Sequence, residues 1–395
     1  MVDFNYYTPT EVMFGKNAED SLPSLVRKYG GTKVLIHYGS GSVVRSGLLQ
    51  QTKQRLDASG IPWVELGGVV PNPQLELVYK GIELCREQGV DMILAVGGGS
   101  VIDSAKGISY GLANPGTDIW DMFFGKVTPT RFMPVGSILT IPAAGSEMSW
   151  ACVLSKGEVK RGYDNDIARP KFAILNPERT YTLPPYQTAC GVTDIMMHTM
   201  ERYFSNENDM YLTDAIAEGL MRTVRICGEA VLKDPENYVL RAQIMWAGSL
   251  SHNNLTGCGL IRDFGTHRLE HELSGLFGVA HGAGLAALWC HWAEYVLNIN
   301  PGRFAQFAVK VMDIDPAGKT EEQTALEGID AVKDFYHRIG MPASIPELIG
   351  RRISEDEIKL MAERCSLAHT ITVGNLLKLD YDRMIDVYRL ANRAG

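Results

Sequence analysis

The rhythm of apolar positions changes once along this chain, near residue 180. Before that point, short apolar runs alternate with helical spacing. Residues 33–39 (K-V-L-I-H-Y-G) read as a buried strand ending at Gly39, and 43–58 carry a helical leucine pattern that Gly60 ends. Residues 61–66 predict a second strand, followed by the turn Pro71-Asn72-Pro73. A helix over 74–88 leads to 91–96 (D-M-I-L-A-V), a continuous apolar run of the kind that suits a parallel strand covered on both faces. Residues 137–141 and 171–175 are further strand candidates. Beyond Pro184-Pro185 the spacing becomes helical, with helices expected over 187–204, 210–230, 236–254, 260–274, 283–297, 302–312, 322–338 and 355–367. The pattern predicts an α/β, Rossmann-like nucleotide-binding domain over 1–180 and an all-α domain over 181–395, with a ligand cleft between them.

At 395 residues the chain is long enough for two domains, and 45% hydrophobic with 21% charged residues is ordinary for a soluble protein. A net charge of -8 offers no basic footprint for nucleic acid or anionic membranes. No run of about twenty apolar residues predicts a membrane span, and M-V-D-F-N-Y-Y lacks the pattern of a secretory signal. Seven dispersed cysteines without a C-x-x-C pair argue for a reducing compartment, so the expected location is the cytoplasm.

Three connections in the first half have the chemistry of a nucleotide site. Gly97-Gly98-Gly99-Ser100 joins a strand to a helix, where glycines let phosphate approach backbone N–H groups and the helix N-terminus favours negative charge. A tight turn without a ligand has the same pattern, which is neither G-x-G-x-x-G nor a phosphate loop ending in G-K-S or G-K-T. After the first strand, Gly39, Ser40, Gly41 and Ser42 are followed by Arg45, with no carboxylate to accept the ribose hydroxyls of NAD. Serine and arginine there suit a 2'-phosphate, which favours NADP(H) over NAD(H). The stretch Thr140 to Ser149, containing Ser146, is a candidate cofactor channel. Asn72, Asp103 and Lys160 complete the cofactor set, Asp103 by capping or orienting the glycine turn and Lys160 from a polar hairpin that would ordinarily leave it at the surface.

The second half carries metal-ligand spacing. Asp194 and His198 stand four residues apart, about one helical turn, as do His267 and His271. His281 follows in V-A-H-G-A-G, whose glycines permit close backbone approach. Glu270 and Glu272 flank His271, but adjacency on a helix does not share its face, so neither is assigned as a base. Trp150, Leu260 and Phe264 are candidates for an apolar substrate wall, though core packing is the ordinary role of such residues.

In G97-G-G-S-V-I-D-S-A-K, P142-A-A-G-S-E and the ordered set Asp194, His198, His267 and His281, the chain resembles the iron-containing (type III) alcohol dehydrogenases, especially their butanol dehydrogenase and aldehyde reductase branch. The resemblance spans nearly the whole sequence, with the family's P-H-G signature appearing as Ala280-His281-Gly282. It implies the dehydroquinate synthase-like fold and one divalent metal, Fe(II) or Zn(II), on Asp194, His198, His267 and His281. It also implies His271 as an additional active-site histidine, so that His267 and His271 are the catalytic candidates. The Gly39–Ser42 turn is similar to that of members preferring NADP(H). The expected partner is a small alcohol or aldehyde such as butanol or butanal, with a homodimer as the expected assembly. Glycerol or short-diol oxidation is the alternative with the same chemistry. A lyase resembling dehydroquinate synthase needs a strongly basic pocket, and 252–275 holds only Arg262 and Arg268. A catalytically silent metabolite-binding protein is the reading from a different class.

Overall fold

The structure, a computed structural model, describes residues 1–393. The chain forms two compact units, Tyr7–Thr182 and Leu183 onward, the latter joined by Met1–Tyr6. The first six residues therefore belong with the helical part, where the Val2 N–H donates to the Gly259 carbonyl at 3.0 Å.

The first unit contains β1 (Glu11–Phe14), β2 (Val34–Gly39), β3 (Trp63–Val69), β4 (Met92–Gly97), β5 (Val135–Leu139), β6 (Ala151–Lys156), β7 (Val159–Asp164) and β8 (Phe172–Leu175). Six of these form one parallel sheet in the order β1-β8-β5-β4-β2-β3, and β6 and β7 pair as a separate antiparallel hairpin. β4, β5 and β8 are buried along their whole length, which is why their sequences are continuous apolar runs rather than alternating ones. β1 lies at a sheet edge and spans four residues, too short to leave a periodic signal. The helix expected over 43–58 is two helices, Ser42–Arg45 and Leu48–Ala58, because Gly47 adopts φ +76 between them. From β2 the chain passes to β3 on one side and then to β4 on the other. The carboxyl ends of β2 and β4 thus flank a topological switch point, where ligands of open parallel sheets bind.

In the second unit the eight expected helices are Pro185–Tyr203, Tyr211–Lys233, Tyr238–His252, Gly265–Phe277, His281–Val296, Pro301–Met312, Glu321–Arg338 and Glu355–Cys365. Two more, Ile345–Ile349 and Tyr381–Ala391, were not expected. The latter had a readable start, since the Asp380 side chain accepts the Arg383 N–H as an N-cap. The fourth helix starts at Gly265 rather than near 260 because Asp263 accepts the N–H groups of Gly265, Asn375 and Leu376 at 2.8, 2.6 and 2.7 Å. At the centre, Pro185–Tyr203 is buried at every position from Thr188 to Tyr203. A helix without a wet face normally carries apolar residues all round, yet this one holds Asp194, His198, Glu201 and Arg202.

Close packing in the sheet gives a test independent of function. A Cβ on Gly136 would fall 2.1 Å from the Phe172 ring on the neighbouring strand. Gly136→Ala is expected to lower the unfolding free energy by about 1–3 kcal/mol, read as a lower urea midpoint with unchanged slope. An unshifted midpoint would contradict the packing described.

Candidate metal centre

Three helices converge on one carboxylate oxygen. Pro185–Tyr203 carries Asp194 and His198 one turn apart, Gly265–Phe277 carries His267 and His271, and His281–Val296 opens on His281. Asp194 Oδ1 lies 3.4 Å from His198 Nδ1, 3.6 Å from His267 Nε2 and 3.8 Å from His281 Nε2. These separations exceed hydrogen-bonding distance, and Asp194 Oδ1, His198 Nδ1 and His267 Nε2 make no hydrogen bond although each is buried. Donors around a tetrahedral divalent ion bound at about 2.1 Å stand roughly 3.4 Å apart. A carboxylate with imidazoles at this spacing, the donor atoms of Asp194, His198 and His267 being unsatisfied, fits such an ion. The donor atoms of Asp194, His267 and His281 lie within 4.8 Å of one another; His198 is beside them but outside that closest group.

Two carboxylates behind the histidines decide which ring nitrogen faces inward. His267 Nδ1 is hydrogen-bonded to Glu201 and His281 Nδ1 to Glu270. With Nδ1 bonded outward to a carboxylate, each ring turns its Nε2 toward Asp194. Burial disfavours charging His267, but the Glu201 and Asp194 carboxylates outweigh it and raise its pKa to about 9. His198 has no such carboxylate behind it, and burial with the positive charges of His267 and Arg202 nearby holds its pKa well below the usual range. Its ring instead meets that of the buried His252 edge-on, with centroids 4.1 Å apart.

His271 is buried one turn beyond His267, its ring centroid 5.7 Å from that of His281. Phe264 enters the helix at φ +57, a strained conformation for a bulky side chain, and sets its ring 5.1 Å from that of His267. Arg202 and Arg262 place guanidinium groups 4.8 and 5.5 Å from the centre of the Phe264 ring. Leu260 is buried in this unit, whereas Trp150 lies in the α/β unit under the Arg169 guanidinium, 4.4 Å away. Sequence reasoning missed Glu201, Glu270 and His252. For Glu201 the signal was its place three residues after His198, and Glu270 is hydrogen-bonded to His281 on another helix.

The nucleotide candidates occupy the carboxyl edge of the sheet. Gly39 ends β2, and Ser40, Ser42 and Arg45 are exposed just beyond it. A Cβ on Gly41 would lie 2.7 Å from the Arg45 guanidinium, so that charge folds back over the turn. Asn72, at φ +56, sits in the connection after β3. Gly97, Gly98, Gly99 and Ser100 join β4 to the helix Gly99–Ala113. Close packing already demands glycine there, because a Cβ on Gly98 would meet Ile141 at 2.2 Å and one on Gly99 would meet Ala144 at 2.9 Å. The Thr140 N–H donates to the Gly97 carbonyl at 3.1 Å, tying β5's exit to the same turn.

Asp103 and Lys160 differ from expectation. Asp103 does not cap the glycine turn: its carboxylate accepts from the Ser146 hydroxyl at 2.5 Å and the Val153 N–H at 3.0 Å. Lys160 is a buried hairpin residue, only 5% exposed, rather than a surface lysine. The Lys106 ammonium, also buried, donates to the Ser146 hydroxyl and to the carbonyls of Ser149 and Ala151 at 2.9, 3.0 and 2.7 Å. Burial pushes the Asp103 carboxyl up and the Lys106 ammonium down, each opposed by the other's charge.

Comparison with known proteins agrees with this geometry. Residues 9–177 match the iron-containing alcohol dehydrogenase family, and 188–392 match the C-terminal family of Fe-containing alcohol dehydrogenases. The chain belongs to the iron-containing alcohol dehydrogenase family. This alcohol dehydrogenase is 39% identical to NADH-dependent butanol dehydrogenase A of Clostridium acetobutylicum, over 98% of its own length and 99% of that protein. It is 36% identical to the NADPH-dependent aldehyde reductase YqhD of Escherichia coli, covering 94% and 97% of the two chains. The solved structure of NADH-dependent butanol dehydrogenase A from Thermotoga maritima superposes with a TM-score of 0.94 at 33% identity, over 100% of this chain and 99% of that one. The enzyme's chemistry is metal-dependent hydride transfer between a nicotinamide coenzyme and an aliphatic alcohol or aldehyde. Among the described residues, no helix is long and apolar enough to cross a membrane.

The buried network at Asp103 yields a direct test. Asp103→Ala removes acceptors from Ser146 and Val153 and strips the nearest carboxylate charge from Lys106. A stability loss of about 3–5 kcal/mol is expected in urea denaturation, the range for an uncompensated buried charge. A loss within measurement error would show that the network holds nothing together.

Proposed function

We propose that this enzyme is an NADPH-dependent reductase of short aliphatic aldehydes such as butanal, running the corresponding alcohol oxidation in reverse. Asp194, His198, His267 and His281 would hold its single divalent ion, Fe(II) or Zn(II). The observation carrying this reading is the meeting of three imidazole nitrogens, from three helices, within 3.4 to 3.8 Å of Asp194 Oδ1. Bound there, a divalent ion supplies Lewis acidity toward a substrate oxygen without changing oxidation state, since the nicotinamide carries the electrons. A bound nicotinamide coenzyme would supply the hydride for the aldehyde carbon, whose oxygen would then need a proton. His271, one turn from His267 and beside His281, is the residue assigned to orient substrate and relay that proton from solvent.

The preference for NADPH rests on local charge. The segment from Gly39 to Arg45 carries Ser40, Ser42 and Arg45 just beyond β2, and no carboxylate of its own to repel a 2'-phosphate. Glu65 on the adjacent β3 pairs across from Ile36, back from the strand's end, and its carboxylate is engaged by Lys53 at 2.6 Å. Gly97–Ser100, Asp103, Thr140, Ser146, Asn72 and Lys160 complete the coenzyme assignment, with Asp103, Ser146 and Lys160 shaping the site from behind. The reading includes a homodimer, the commonest closed oligomer, and a cytoplasmic location, for which the seven free, buried cysteines are the support.

Two experiments test it. After reconstitution with Fe(II) or Zn(II) under anaerobic conditions, butanal should drive metal-dependent NADPH consumption. His267→Ala should lower metal retention and kcat/KM by more than about 100-fold, beyond what loss of an outer partner costs. His271→Ala should keep the ion while losing turnover or altering its pH profile, and loss of the ion from that variant would make His271 a ligand instead. For the coenzyme, Ser40→Asp should raise the KM for NADPH relative to NADH by about 10–100-fold, the value of a charged hydrogen bond exchanged for repulsion. An unchanged ratio would remove the Gly39–Arg45 turn from 2'-phosphate recognition.

A further inference from the structure

The metal-site histidines His267 and His281 each have a fully buried carboxylate behind them, and the two carboxylates come from different helices. Glu201 grips His267 twice: Oε1 accepts the His267 backbone N–H at 3.1 Å and Oε2 meets the ring at Nδ1. One side chain thereby holds both the first turn of the Gly265–Phe277 helix and the orientation of its first histidine. Glu270 meets His281 at Nδ1 through Oε2. The room for Glu270 comes from Gly284, where a Cβ would stand 2.7 Å from Glu270 Oε1 and 2.9 Å from its Cγ. Gly282 lets the same helix lie directly on the backbone of Pro185–Tyr203, since its Cβ would fall 2.2 Å from the Cys190 carbonyl oxygen. The two glycines after His281 therefore have separate purposes, one to bring two helices together and one to seat a carboxylate.

We propose that Glu201 and Glu270 are positioning residues of the metal centre, and that Gly284 is the notch that lets Glu270 reach His281. Each carboxylate takes the Nδ1 proton of one imidazole in a hydrogen bond, aims its Nε2 at Asp194 and raises that nitrogen's basicity. His198, backed by the His252 ring instead, receives no such support. The centre is accordingly asymmetric, with two strong imidazole donors and one weaker one. Asp194 faces the ion position directly, while Glu201 and Glu270 add negative charge from behind the two rings, which favours a cation there.

This inference rests on the reading of Asp194 and its histidines as a metal centre, so the experiment includes Asp194→Ala. The apoprotein is titrated with Co(II) in competition with a chelator, and the visible absorption of the Co(II) protein is recorded. Glu201→Gln and Glu270→Gln keep shape but lose charge, and each should weaken Co(II) binding by about 10–100-fold while changing the visible bands. Gly284→Ala alters no polar group, and should reproduce the Glu270→Gln spectrum by crowding Glu270 off His281. Urea denaturation of each apoprotein separates a poorly folded variant from a misaligned site, and Gly284→Ala and Glu201→Gln serve if Glu270→Gln does not fold. Wild-type Co(II) affinity and spectra in folded Glu201, Glu270 and Gly284 variants would overturn the inference, provided Asp194→Ala abolishes binding. Wild-type binding by Asp194→Ala would instead overturn the metal-centre reading itself.

Discussion

Holding several ionisable groups in a dry helical core is the constraint on which this structure depends. Asp194, His198, Glu201 and Arg202 all lie on a helix with no exposed face over its last four turns. Removing such groups from water is costly unless each finds an opposite charge, a hydrogen bond or a metal. The neighbouring backbone is shaped to meet that demand. Asp263 ties the entry of the Gly265–Phe277 helix to residues 375 and 376, and Phe264 accepts a left-handed conformation so that His267 follows at once. Carboxylates that would be liabilities alone become the means of turning the imidazole rings.

The α/β unit solves a similar problem with different parts. Its glycine turn is first a packing device, since residues 141 and 144 occupy the space that side chains at 98 and 99 would need. The same lack of side chains leaves the backbone N–H groups at the start of the Gly99–Ala113 helix open to a phosphate. Behind it, Asp103, Ser146 and Lys106 pin the connection after β5 to that helix through buried polar contacts. Loops carrying ligand-binding groups gain precision from rigid anchors of this kind.

Coenzyme choice illustrates how little overall similarity decides about specificity. Relatives named for NADH and for NADPH stand at 39% and 36% identity to this chain. A difference of that size spreads over the whole fold, whereas a 2'-phosphate meets only a few side chains. One carboxylate at the end of a strand reverses a local field, so the proposed preference for NADPH rests on the residues from 39 to 45 and not on overall similarity.

Local pattern was enough for much of the architecture. Continuous apolar runs marked β4 and β8, and helical spacing marked the eight long helices after residue 184. Asp194 with His198, and His267 with His271, could be paired from one-turn spacing because a helix fixes the relation of residues four apart. Short or unperiodic elements escaped: β1 has four residues, and Gly47 interrupts a helix without breaking its leucine pattern. The burial of Lys160 and the partners of Asp103 also escaped, since both depend on contacts made across loops. By itself the sequence determined the two-part fold and the residue types of a metal site, which are matters of spacing and composition. Tertiary structure alone decided that Glu201 serves His267, that Glu270 serves His281 through the space left by Gly284, and that His252 backs His198. Those pairings join residues on different helices, and only the packing of one helix on another sets the distance between them.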